Sequence, residues 1–221
     1  MVKIFDTTPE TRGWLLEKFA KGTSNYWFAF FADFAAAMFL LYWDIMVNDG
    51  NTLLAALIAF PVGFMIWGFT EYVFHRWVYH QAEGIFGDGH RIHHTEAWVL
   101  IAMPWFMTTL TIFGLWHLFG RVLQIPYFSS ILAGWLVGLV WYSVVHHSHH
   151  HWNVRSSWIR KLKAYHRIHH HFPEQNYGVT IRFWDLALGT QYRKPFLPPQ
   201  GENGLVETIP ETTREHALAH A

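Results

Sequence analysis

The chain has 221 residues, of which 52% are hydrophobic and only 14% are charged. That length suggests one domain, two at most. Lys and Arg (16) balance Asp and Glu (16), so no basic face points to nucleic acid and no nucleic-acid partner is expected. The absence of cysteine excludes disulfides, thiolate metal sites and iron–sulfur clusters.

The N-terminus carries no apolar core before a small-residue cleavage site, so no secretory signal peptide is expected. Residues 8–21 predict a short amphipathic helix, with Thr8 as cap, Pro9 in the first position and Gly22 past the end. Trp14, Leu15 and Phe19 share a face there, and Lys18 and Lys21 turn to water. Such a helix suits a membrane surface or a docked position on the domain.

Four apolar runs follow, at 27–47, 53–74, 99–119 and 127–145. Each has about the 20 residues needed to cross a bilayer. Helices of a soluble bundle would keep a polar stripe, and these runs have little of one. Asp33 and Asp44 in the first run must face protein or water. Pro61 and Pro104 predict kinks, and Trp27, Tyr42, Tyr72, Tyr127 and Tyr142 suit interfacial anchors. Lys3, Arg12, Lys18 and Lys21 precede the first run, and none lies between the first two. Arg76 and Arg91 follow the second, Arg121 alone follows the third, and Arg155, Arg160, Lys161, Lys163 and Arg167 follow the fourth. This alternation marks the cytoplasmic side. It predicts an integral, multi-pass membrane protein with both termini and every histidine cluster cytoplasmic.

Of 17 histidines, nearly all lie between His75 and His171, in "HRWVYH", "HRIHH", "HHSHHH" and "YHRIHHHF". Neutral imidazole suits first-row metals. His90, His93 and His94 share one helix face by spacing, as do His166, His169 and His170. His75 and His80 are five apart, so the helix must wind or bend between them. Within "HHSHHH", His146 with His150 and His147 with His151 both have the i, i+4 spacing. Ten converging imidazoles exceed one ion, so two metal ions are expected. No Glu-x-x-His pattern of soluble di-iron bundles occurs in these clusters. Glu71, one turn before His75, is a candidate acceptor for a ligand N–H or a helix-packing partner. Asp185 is either a similar acceptor or a turn cap. His117 is expected to bond a backbone group. His147, His149, His151 and His171 are expected to be outer partners or exposed, and His216 and His220 solvated.

The expected fold class is therefore all-α: an integral membrane four-helix bundle with a cytoplasmic histidine-rich helical cap holding a dinuclear metal site. Its expected parts are an N-terminal amphipathic segment (1–26), a membrane-embedded domain (27–190) and an extended C-terminal tail (191–221), the last rich in Pro, Glu and Thr.

"EYVFHRWVYH", "HRIHH" followed by "MPW", "WYSVVHHSHH", "LKAYHRIHHHF" and "WDLALGT" together resemble the fatty acid hydroxylase branch of the membrane-bound hydroxylase and desaturase superfamily, over roughly 63–190. The layout is most similar to fatty acid 2-hydroxylases. The resemblance implies that His75, His80, His90, His93, His94, His146, His150, His166, His169 and His170 bind two iron ions, with zinc able to replace iron in isolated protein. "WYSVVH" resembles the family's Tyr-x-x-x-His approach and selects His146 and His150. Dioxygen is the implied co-substrate, a membrane lipid the substrate, and hydroxylation of an acyl chain, at the 2-position, the reaction. Relatives often carry a fused b-type cytochrome. None is legible here, so a separate electron donor is implied, a b-type cytochrome or a ferredoxin-like protein. Phe74, Trp77, Tyr79, Trp98 and Trp105 are candidates to shape a lipid entrance or to anchor at the interface. The alternatives are a related sterol, carotenoid or alkyl-lipid hydroxylase or desaturase, and a zinc-binding transporter or sensor. Transport favours ionisable ligands at mid-membrane, whereas these clusters follow the spans.

Overall fold

The computed structural model describes residues 9–48 and 52–193, and among these residues the regular elements are all helical. Helix α1 spans Pro9–Leu15, α2 Thr23–Tyr42, α3 Leu53–Val73 and α4 Ile85–Thr95. Helix α5 spans Trp105–Leu115, α6 Phe128–His151, α7 Ser157–His171 and α8 Phe183–Ala187. Wider π-helical turns continue α1, α2, α3 and α5, at Leu16–Ala20, Trp43–Val47, Phe74–Tyr79 and Trp116–Val122. The capping residue expected at Thr8, the tail from 194 onward, and His216 and His220 lie outside the described residues.

Three helical stretches are long and apolar enough to cross a membrane: Thr23–Val47, Leu53–Tyr79 and Phe128–His151. The third predicted run forms a shorter helix. Pro104 begins α5 instead of kinking it, because a proline lacks the N–H that a helix interior needs. The residues before it turn back, and Lys21 and Ile101 form an antiparallel bridge. Helix α5 still lies along α2. Asn25 receives the Trp105 N–H at one end (3.2 Å), and Phe39 and Trp43 pack on Trp116 at the other.

Helices α3 and α6 pack most closely. A Cβ at Gly63 would collide with the Ile131 carbonyl, and one at Gly134 with the Phe60 carbonyl, so only glycine permits this approach of two backbones. Ala36, Ala37 and Leu40 of α2, Ile112 of α5, and Leu132, Ala133 and Leu136 of α6 form the main buried cluster. The outward faces stay apolar: Met65 is 75% exposed, Leu54 70% and Leu110 70%. A continuous surface of that kind suits hydrocarbon rather than water. Both acids of the first span turn inward. Asp33 is buried, and Asp44 accepts the Ser130 N–H (3.1 Å) and hydroxyl from the start of α6. Tyr72, expected as an interfacial anchor, is fully buried, its hydroxyl accepting an N–H of Arg76 (2.8 Å).

On α1 and its wider turn Trp14 and Phe19 share a face, their rings 5.6 Å apart, as the spacing predicts. Trp14 and Phe19 point outward, while Leu16 and Ala20 bury against Ile85. Arg12 pairs with Asp88 at 2.6 Å. The widened turn at Leu16–Ala20 rotates the face by which this segment docks on α4, a rotation that a regular 3.6-residue count does not anticipate.

Candidate metal centre

Four elements deliver histidines to one end of the packed helices. The π-helical turn Phe74–Tyr79 gives His75 and His80 a common side despite their five-residue spacing. Helix α4 supplies His90, His93 and His94, α6 supplies His146 and His150, and α7 supplies His166, His169 and His170.

Nine of the ten fall into two groups, and His170 lies beside the second. In the first, the ligand atoms of His75, His80, His90, His94 and His169 all lie within 4.8 Å of one another. In the second, the same holds for His93, His146, His150 and His166. The Nε2 of His170 lies 3.1 Å from that of His166 in the second group, and its ring stacks on His94 of the first. Each His-x-x-His-His motif feeds both groups. His90 and His94 go to the first and His93 to the second, whereas His166 goes to the second and His169 to the first. Helices α4 and α7 therefore tie the two groups into one unit.

The chemistry of these nitrogens fits metal ions. The Nδ1–H of His75 donates to the Tyr177 carbonyl, and that of His169 to the Gln175 carbonyl at 2.7 Å. In the neutral rings both Nε2 atoms then carry lone pairs. Those two lone pairs converge with the nitrogens of His80, His90 and His94, an arrangement in which a cation can satisfy all of them at once. Neighbouring Nε2 atoms are 3.0–3.1 Å apart in both groups. Two nitrogens each ~2.1 Å from one ion and ~90° apart are separated by ~3.0 Å; tetrahedral ligands would be ~3.4 Å apart. The donor sets thus suit ions of coordination number above four.

Burial, with mutual repulsion, keeps the imidazoles uncharged and ready to bind. His80 and His170 are pushed down to about 4, His169 to about 3, and His93 and His94 to about 2. For His90 and His166 burial again acts first and repulsion from neighbouring histidines second, both lowering the value well below the ordinary one.

The two candidate carboxylates act one step further out. Glu71 accepts no ligand N–H; it accepts the N–H groups of Val179 (2.6 Å) and Thr180 (2.9 Å) and the Thr180 hydroxyl. Asp185 takes the turn-capping role, accepting the N–H groups of Tyr177 (2.8 Å) and Gly178 (2.7 Å) and the Thr190 hydroxyl (2.7 Å). Asn176, buried in the left-handed region at φ 58°, receives the Tyr192 N–H at 2.7 Å. Together these groups fix the 175–180 segment, whose carbonyls orient His75 and His169. Gln175 and Tyr177 escaped the sequence reading because a backbone carbonyl leaves no residue signature.

The remaining histidines divide by direction. His147 turns away from the centre, its Nδ1 3.0 Å from the Tyr26 hydroxyl, and its ring stacks on His151. His149 is buried with neither ring nitrogen paired among the described residues. His151 and His171 are exposed, and so is His117, contrary to its expected backbone bond.

The profile of the fatty acid hydroxylase family matches residues 60–190. The chain is 29% identical over 139 residues to dihydroceramide fatty acyl 2-hydroxylase FAH1 of Arabidopsis thaliana, a match covering 58% of each protein. It is 29% identical over 159 residues to FAH2 of the same plant, covering 66% of each. The match thus spans less than two thirds of those relatives' own length. A structure of full-length scs7p in which only the hydroxylase domain is visible superposes with a TM-score of 0.67 at 26% identity, covering 82% of this chain and 71% of that one. With more than half of its length, including all ten clustered histidines, inside the matched region, the chain belongs to the fatty acid hydroxylase family.

Proposed function

We propose that the protein is a membrane-bound lipid hydroxylase that adds oxygen to the 2-position of a fatty acyl chain. The two histidine groups would each hold one iron ion: His75, His80, His90, His94 and His169 the first, and His93, His146, His150, His166 and His170 the second. The observation that carries this reading is the convergence of lone-pair nitrogens, with His75 and His169 locked in the ligating tautomer by the Tyr177 and Gln175 carbonyls. The bound metals would supply the activation of dioxygen. Overall, a C–H bond, dioxygen, two electrons and two protons become a C–OH bond and water, with the electrons supplied by a separate carrier protein.

The chain's own residues set the stage for that reaction. Buried surroundings keep the imidazoles neutral, and the 175–180 segment holds two of them in orientation. The groups sit where α3 and α6 end, so an acyl tail can remain in hydrocarbon while its head end reaches them. A 2-position product matches this placement, because C2 lies one bond from the polar head. The relatives' names, dihydroceramide fatty acyl 2-hydroxylase, support the same position. We read α2, α3, α5 and α6 as four membrane crossings, with α5 paired along α2, and both termini and the metal groups cytoplasmic. Residues 27–190 then form the catalytic domain, 1–26 a docked amphipathic segment and 191–221 a tail.

The test is lipid mass spectrometry of cells with and without the chain, beside metal analysis of purified protein. Expression should yield acyl lipids heavier by one oxygen atom. His93→Ala and His169→Ala should each abolish the product and lower metal content. Full metal occupancy in both variants, or a product two hydrogens lighter with no oxygen added, overturns the assignment.

A further inference from the structure

From 146 to 173 the chain contains no Asp or Glu, while Arg155, Arg160, Lys161, Lys163 and Arg167 lie within it. All but Lys163 are exposed, and none makes an ion pair among the described residues. Helix α7 buries Leu162, Tyr165, His166 and His169 and turns Arg160, Lys161, Ala164, Arg167 and His171 outward. At the C-terminal end of this basic face a cavity of about 220 Å³ opens. Lys163 and Arg167 flank it, and His150, His166 and His170 form its inner wall, beside the unpaired His149. The basic face therefore leads directly to two imidazoles of the second group and to His170 beside it.

We propose that this face of α7 docks an acidic one-electron carrier protein, with the cavity at Lys163 and Arg167 as the point where electrons enter. The inference rests on the hydroxylase reading, which needs two electrons per turnover. Two reduced carriers each lose one electron, one oxygen atom of dioxygen forms the new C–OH, and the other leaves as water with two protons. Charge complementarity selects the partner, since a net positive surface steers and orients an acidic one. A membrane is the poorer occupant. A lipid-binding basic helix interleaves large apolar side chains with its cations; exposed Trp152 and Trp158 do so beside Arg155 and Arg160, whereas the stripe from Lys161 to His171 that reaches the cavity has only Ala164 between its polar groups. Trp158, half exposed beside Trp141, lies at the end of the helix away from the cavity.

The experiment uses the full-length, iron-loaded protein in nanodiscs of neutral phosphatidylcholine. Electrons come from NADPH through ferredoxin reductase and a plant-type ferredoxin, an acidic carrier, and carrier oxidation is followed directly beside product formation. The KM for ferredoxin should rise on going from about 0.05 M to about 0.3 M salt. In the double variant Lys161→Glu with Arg167→Glu it should rise about tenfold, with kcat at saturating carrier little changed. Arg167→Lys should retain the wild-type KM, and so should Lys18→Glu, a charge reversal on the exposed part of the N-terminal segment. Equal KM values in the double variant and in Lys18→Glu overturn the docking assignment. So does a defect that appears only in nanodiscs containing anionic lipid, which would assign the face to the membrane. Carrier oxidation without hydroxylated lipid would remove the hydroxylase reading, and the KM shift would still decide the docking face.

Discussion

Asp185→Asn tests whether the buried carboxylate controls the metal groups through the 175–180 segment. One carboxylate oxygen accepts the Tyr177 N–H and the Thr190 hydroxyl, and the other accepts the Gly178 N–H. An asparagine offers one acceptor oxygen and one NH2. In either rotamer the NH2 faces a backbone N–H, so one buried donor loses its partner and the surviving bonds become neutral. Hydrogen bonds to a charged group contribute about 1.5–3 kcal/mol and neutral ones about 0.5–1.5. Removing a buried charge offsets part of that loss, which leaves a net cost of about 2–4 kcal/mol. The second consequence is local. The residue that Asp185 holds by its N–H is Tyr177, whose carbonyl orients His75. Loss of such an outer partner lowers metal affinity about 10–100-fold. The assay measures the thermal midpoint of the metal-free protein and metal retention against a chelator. Asp44→Asn is the control: it too removes a buried, hydrogen-bonded carboxylate, but at the opposite end of the packed helices, beside Ser130. Both variants should lose stability, and only Asp185→Asn should lose metal more readily. Equal metal retention in the two would refute the link from Asp185 to the imidazoles.

Gly134→Ala should lower the thermal midpoint, because its Cβ meets the Phe60 backbone and overpacking costs about 1–3 kcal/mol or more; an unchanged midpoint would contradict the close α3–α6 approach. For metal-free protein the pH dependence has a definite sign. Burial and mutual repulsion hold His80, His93, His94, His169 and His170 at about 2–4 in the folded chain against about 6.5 when unfolded, so the unfolded chain binds more protons between those values. Their neutral burial is unopposed above about 6.5, and stability falls as the pH drops through that window, so the denaturation midpoint at about pH 5.5 should lie below that at about pH 7.5. Cysteines introduced as Asn51→Cys and Ser156→Cys in this cysteine-free chain report topology. An impermeant thiol reagent on sealed cells should label the first and spare the second, and labelling of the second would put the basic face of α7 outside.

The histidine spacing, the apolar runs and the absence of cysteine were enough to indicate an all-helical membrane protein with metal-binding chemistry. These features are local: a period, a length or a residue type carries them, and no distant contact is needed to read them. The resemblance of the quoted motifs to fatty acid hydroxylases was legible for the same reason, since it rests on short ordered strings. Which imidazoles face one another was not local. The spacing of His90, His93 and His94 gives a common helix face, yet the fold sends His93 to one group and its two neighbours to the other. That division depends on α6 and α7 approaching from opposite parts of the chain. The register within "HHSHHH" was ambiguous by one residue until packing turned His146 and His150 toward His93 and His166, and His147 toward Tyr26. Glu71 and Asp185 each had two readings in the sequence. The tertiary structure gave both to the 175–180 segment, because a buried carboxylate goes to the nearest cluster of unpaired backbone N–H groups, and only the folded chain creates that cluster. Pro104 marked a break in the third run, but the turn before it also needed the Lys21–Ile101 bridge. The side by which the first segment docks, Leu16 and Ala20 against Ile85, was not legible, because widened turns shift the helical period where tertiary contacts favour them.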